Sequence, residues 1–136
     1  MPTDLHPAEL KVEEWIRKAH DDELSINAIL KDENGSPTTA CFLAQQIAEK
    51  LLKAFLVDQK QWFPKIHNLD SLWELCKELD ASFEEIKTDC ITLTDYYADT
   101  RYPGDLPDFT WDDARTASQT ATRIKQFIIH RISTKS

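Results

Sequence analysis

Apolar residues recur along most of this chain at the three- and four-residue spacing of a helix, and six prolines (2, 7, 37, 64, 103 and 107) punctuate it. From Pro7 to about Lys31 the stripe is Val12, Trp15, Ile16 and Ala19; it resumes after the polar turn Asp21-Asp22-Glu23 with Ile26, Ile29 and Leu30. Pro7 suits a first helical turn, Glu9 suits the positive end of the helix dipole, and Gly35 in "KDENGSP" supplies a left-handed stop. The segment from about 36 to 59 is the most apolar. Ala40, Leu43, Ala44, Ile47, Ala48, Leu51 and Phe55 form one face, and Phe42, Leu52 and Leu56 form a second. Only a narrow polar strip of Gln46, Glu49, Lys50 and Lys53 is left. Such a helix is central in its bundle, or packs in a bundle and also against another subunit. "KQWFPKIHNLDSL" reads as a long loop, within which Asn68 caps a short helix over 69–79 carrying Leu69, Leu72, Trp73, Leu75 and Cys76. Ser82 and Glu85 form a capping-box pattern that opens a helix over 82–97. Thr110 and Asp113 open another, running to about Ile132 on the stripe Ala114, Ala117, Ala121, Ile124 and Ile128. No stretch alternates with period two for long enough to make a strand. The pattern predicts an all-α fold over residues 1–136, a single domain built as an antiparallel up-and-down bundle of four long helices plus a short one.

A chain of 136 residues can bury one core of ordinary size. Its formal charge of −8 argues against a protein that coats DNA or RNA, since such affinity rests on neutralising phosphates. Acidity suits a basic partner or a small, defined ligand. No apolar run approaches the roughly 18 residues that span a bilayer, and "MPTDLHPAEL" has no signal-peptide pattern, so a cytoplasmic protein without a membrane partner is expected. Cys41, Cys76 and Cys90 are isolated and odd in number, the pattern of reduced thiols in apolar positions. His6, His20, His67 and His130 are scattered with no ligand spacing, so neither a metal nor a cofactor is expected. Two distant glycines exclude a glycine-rich phosphate loop, and "NGSP" at 34–37 reads as a turn.

Four segments, in order, carry a resemblance: "WIRKAHDDELSINAIL" (15–30), "ACFLAQQIAEKLLKAFL" (40–56), "IHNLDSLWELC" (66–76) and "DYYADTRYP" (95–103). Together they resemble the HEPN domain family over residues 8–132, with the second segment the most specific. The resemblance implies an antiparallel helical bundle that pairs as a homodimer. It also implies a minimal nucleotidyltransferase as partner, in toxin–antitoxin-like modules. Many members of that family are metal-independent ribonucleases with an Arg-x(4–6)-His motif, whereas others bind nucleotides or serve only as interaction modules.

Arg123 and His130 in "RIKQFIIH" fit the ribonuclease spacing. They leave the same side of a helix roughly 10 Å apart, so a second subunit would have to complete the site. A histidine could act on a 2′-hydroxyl, and an arginine could stabilise the phosphorane. Against this, Ile124 stands where active members carry a small polar residue. Lys50 and Lys53 share the polar strip and could meet phosphate or form ordinary surface beside a dimer seam; His67, just before the helix start at Asn68, caps or packs its loop or takes part in the chemistry. Arg101, flanked by Tyr97 and Tyr102, could bind a phosphate bidentately or tie its loop to Asp95 or Asp99. Three functions follow: a homodimeric, nucleotidyltransferase-associated protein that binds nucleotide; an endoribonuclease toxin using Arg123 and His130; or a helical interaction subunit with no ligand site.

Overall fold

The computed structural model describes residues 11–63, 65–96 and 108–133, and among them every regular element is helical. Helix α1, Val12–Lys31, opens with the Lys11 backbone N–H donating to Glu14 Oε1 (3.2 Å). It ends where Asn34 N–H reaches back to Ile29 O (3.0 Å) and Gly35 takes φ +102°, the left-handed stop its position predicted. Ser36 then caps α2, Pro37–Asp58, by accepting from Thr39 N–H (3.3 Å), with proline in the first turn. Helices α3, Leu69–Leu79, and α4, Lys87–Thr94, lie on the other side of α2, and α5, Trp111–Ser133, closes the bundle.

Helix α2 is the axis. Thirteen of its 22 residues are buried, and it packs against α1, α3, α4 and α5, so its second apolar face is covered by its own bundle. Helix α1 runs antiparallel to it, since Asp22 meets Lys50 while the earlier Trp15 meets the later Lys53. Helix α5 starts beside the start of α2, where Phe109 N–H donates to Thr38 Oγ1 (3.0 Å), and runs alongside it. Alanines 44, 48, 114 and 117 are fully buried, and their small side chains let α2 and α5 approach closely. Beyond this contact the core fills with larger groups, the rings of Phe55, Phe83 and Phe127 meeting at 4.6 and 5.0 Å. The reciprocal bonds of Thr110 and Asp113 (3.0 and 2.9 Å) open α5 as a capping box.

The all-α bundle is thus the fold the periodicity predicts, but the expected long helix over 82–97 is divided. A 3-10 segment, Ala81–Ile86, precedes the eight-residue α4. The cause lies in Ser82. Its hydroxyl donates to Asp80 Oδ1 (2.6 Å) and accepts from Arg131 Nε and Nη2 (3.0 and 2.9 Å), so it has nothing left to cap a helix starting there. Asp80 takes over the cap, accepting from Ser82 N–H (3.0 Å). Phe83 turns inward, where its carbonyl accepts from Trp73 Nε1 (2.7 Å). The three cysteines are free and buried; burial pushes the Cys41 and Cys90 thiols up to about 12 and raises Cys76 as well, so all three stay protonated and inert. None of the described helices is long and apolar enough to cross a membrane.

The Ser82 hydroxyl, followed by the Ser82 N–H and the nearby Arg131 charge, holds the Asp80 carboxyl below its ordinary value of 3.8. A depressed folded-state value adds stability above that pH, and the contribution is lost as pH falls through the folded value. Urea unfolding of wild type and Asp80→Asn should therefore differ most near neutrality, with the gap closing below pH 3.8. A gap that widens on acidification would contradict this role for Asp80.

Candidate functional site

Gln45, Glu49 and Lys53 stand four residues apart and so line up along one side of α2. The sequence pattern places Glu49 and Lys53 on a solvated strip, but each is only 3% exposed. The difference has a physical cause. After α2 the chain turns at Lys60 (φ +57°) and returns along α2, so that the loop before α3 covers the strip. Under that cover Lys53 Nζ donates to Glu49 Oε2 (2.9 Å) and lies 5.4 Å from the centre of the Trp15 ring on α1. Gln46 Nε2 donates to Glu49 Oε1 (3.3 Å) and to Gln45 Oε1 (2.6 Å). The Glu49 carboxylate is thereby paired with a cation and hydrogen-bonded, the condition for burying a charge.

His67 joins this network from the loop. Its Nδ1 lies 2.8 Å from Glu49 Oε2, the oxygen that Lys53 also uses, and its backbone carbonyl accepts from Gln45 Nε2 (3.4 Å). Because a carboxylate only accepts, Nδ1 must carry the proton. The buried end of the ring is thus fixed, while the side chain is 53% exposed. The next residue, Asn68, caps α3 by accepting from the N–H groups of Asp70 and Ser71 (2.8 and 3.3 Å). A rigid helix start and a buried carboxylate together hold one imidazole at the surface.

The other candidates fall elsewhere. Lys50 pairs with Asp22 on the α1 seam, so Lys50 and Lys53 do not converge on one solvent-facing point. Arg123 on α5 is exposed but directed at α4, its Nη2 bonding Asp89 Oδ1 (3.0 Å) and Thr120 Oγ1 (3.2 Å). His130 is exposed and almost two turns further along the same side. The structure therefore gathers Lys50, Lys53 and His67 around α2 and sets Arg123 and His130 apart on α5. Tyr97, Arg101 and Tyr102 lie outside the described residues. Among those described, no group of three His, Cys, Asp or Glu residues could hold a metal ion.

Two further contributors are Gln45 and Arg131. Gln45 belongs to the network, and its four-residue spacing from Glu49 and Lys53 was a visible signal. Arg131 was not singled out, yet its guanidinium stacks 3.4 Å from the Phe127 ring centre and bridges to Ser82 and Asp80 (3.5 Å).

Removing one member of a buried pair strands the other. Lys53→Met should cost about 3–5 kcal/mol in urea unfolding, and adding Glu49→Gln to it should restore at least ~1 kcal/mol by removing the stranded charge. Costs that simply add in the double variant would show that the two residues are not coupled.

Comparison with known proteins adds to this geometry. A model of the HEPN domain family matches residues 12–132. A crystal structure described as that of an archaeal HEPN homologue matches with a TM-score of 0.71 at 28% sequence identity, covering 90% of this chain and 98% of that one. No curated protein matches. The match takes in all five α-helices and the Gln45–Glu49–Lys53 line, and the chain belongs to the HEPN domain family.

Proposed function

We propose that this protein is a homodimeric component of a toxin–antitoxin-like or nucleotidyltransferase-associated module in the cytoplasm, and that it contacts nucleotide phosphate rather than cleaving RNA. The observation that carries this reading is the presentation of His67. With Nδ1 on the buried Glu49 and the side chain half-exposed at a helix start, His67 in its imidazolium form would donate from Nε2 to an anionic ligand. Lys53 would act from beneath, neutralising Glu49 so that the site does not repel phosphate. Lys50, on the next position of α2, would have to leave Asp22 to reach a ligand. Arg101, between Tyr97 and Tyr102 in sequence, is the residue whose planar fork suits a bidentate phosphate contact. The minimal nucleotidyltransferase is the partner proposed for the outer faces, since α2 itself is enclosed.

The alternative endoribonuclease reading draws on the placement of Arg123 and His130, both exposed on one side of α5. The bonds from Arg123 to Asp89 and Thr120 weigh against it, because they direct the guanidinium onto α4.

Light scattering should give a mass twice the 15.7 kDa of one chain; a strictly monomeric protein would overturn the homodimer. Calorimetric titration with ATP or GTP should show saturable binding, weakened about tenfold by His67→Ala and by Arg101→Ala, about the worth of a charged hydrogen bond. Absence of binding at millimolar nucleotide would remove the proposal. RNA cleavage lost in His130→Ala would favour the endoribonuclease reading instead.

A further inference from the structure

Helices α1 and α5 both lie on α2 but meet each other along little of their length. The wedge between them holds a pocket of about 130 Å³. Its floor is aliphatic: Ile16 and Ala19 from α1, Ile47 and Leu51 from α2. At its mouth stand His20, Glu23 and the α5 residue Lys125. Lys125 Nζ donates to Glu23 Oε1 (2.7 Å), and His20 Nδ1 lies 3.4 Å from the same oxygen. Glu23 Oε2 has no partner among the described residues.

These features define a complementary molecule. A cavity of about 150 Å³ lined by aliphatic and aromatic groups holds benzene, so this one takes roughly five or six heavy atoms of apolar body. The spare carboxylate oxygen calls for a hydrogen-bond donor at one end of that body. The sign of the charge follows from the surroundings. Asp21 lies two residues before Glu23, the chain carries −8 overall, and Lys125 is the one lysine or arginine bonded to Glu23 among the described residues. A carboxylate-headed ligand would meet Glu23 at the mouth, with Lys125 already engaged. An ammonium would bond Oε2 and leave the Lys125 contact to Oε1 in place.

We infer that the α1–α2–α5 wedge is a binding site for a small aliphatic primary amine, its hydrocarbon body on Ile16, Ala19, Ile47 and Leu51 and its ammonium on Glu23. The site is separate from His67 and does not depend on the nucleotide reading. Glu23 selects for charge, and the short floor selects for length, because a body much longer than five carbons overfills the pocket and drives the ammonium outward past Glu23.

The test is a two-dimensional NMR titration of the full chain with 3-methylbutylamine, alongside 4-methylpentanoate and 3-methylbutanol, which share the branched body but differ in head group. The amine should shift the amides of Ala19, Ile47 and Leu51 saturably, with a dissociation constant in the millimolar range set by its few atoms. Glu23→Gln, a change at a partly exposed position whose helicity circular dichroism would verify, should weaken the amine at least tenfold and leave the alcohol unchanged. Binding of the carboxylate as tight as the amine, or amine shifts that persist unchanged in Glu23→Gln, would overturn the assignment. Shifts that never saturate would do so too.

Discussion

An ionised carboxylate withdrawn from water costs several kcal/mol unless a cation and hydrogen bonds take the place of solvent, and Glu49 sits in the middle of the most enclosed helix of this protein. Much of the architecture answers that demand. Lys53, one turn on, supplies the cation, and Gln46 supplies an amide. His67 supplies the last donor from a different segment, which obliges the loop after α2 to return along the helix it has just left. That return sets where Asn68 can cap, and so where α3 begins. The position of α3 brings Trp73 to the carbonyl of Phe83, fixing the 3-10 segment and the aromatic cluster behind it. One buried charge thus links the centre of α2 to the whole second half of the bundle.

A second organising contact stands at the far end of that half. Arg131 stacks on Phe127, one turn earlier, and its guanidinium bonds Ser82, holding the 3-10 segment against α5. Arg123 does the same for α4 through Asp89. On the opposite flank Lys125 and Arg115 span from α5 to Glu23 of α1 and to Glu33 in the turn that follows it. Exposed pairs of this kind contribute little each. Their value here is geometric, since they set the orientation of two helices that share few contacts of their own. The same sparseness leaves the wedge between α1 and α5 open.

The parts of this fold set by local chemistry were legible in the sequence. Apolar periodicity located α1, α2, α3 and α5, and Gly35, Asn68, Thr110 and Asp113 end or start helices as their types dictate. What depended on distant partners was not. Ser82 with Glu85 has the spacing of a capping box, but Arg131, 49 residues away, engages the hydroxyl such a cap would need. Glu49 and Lys53 look like surface because a polar strip on a helix reads the same whether water or a returning loop covers it. Arg123 and His130 have a suggestive spacing, yet the carboxylate that occupies Arg123 comes from α4, which no spacing within α5 could reveal. The line Gln45, Glu49 and Lys53 shows the reverse case, a pattern present in the sequence whose meaning depends on where His67 lands.

The central claim is that His67 is locked to a buried carboxylate through Nδ1, and the imidazole nitrogens report this directly. In ¹⁵N-histidine-labelled protein, long-range correlation spectra at a pH where the ring is neutral should show Nδ1 protonated and Nε2 bare. Replacing Glu49 by glutamine should relax that preference. A neutral His67 with its proton on Nε2 in the wild-type protein would contradict the account.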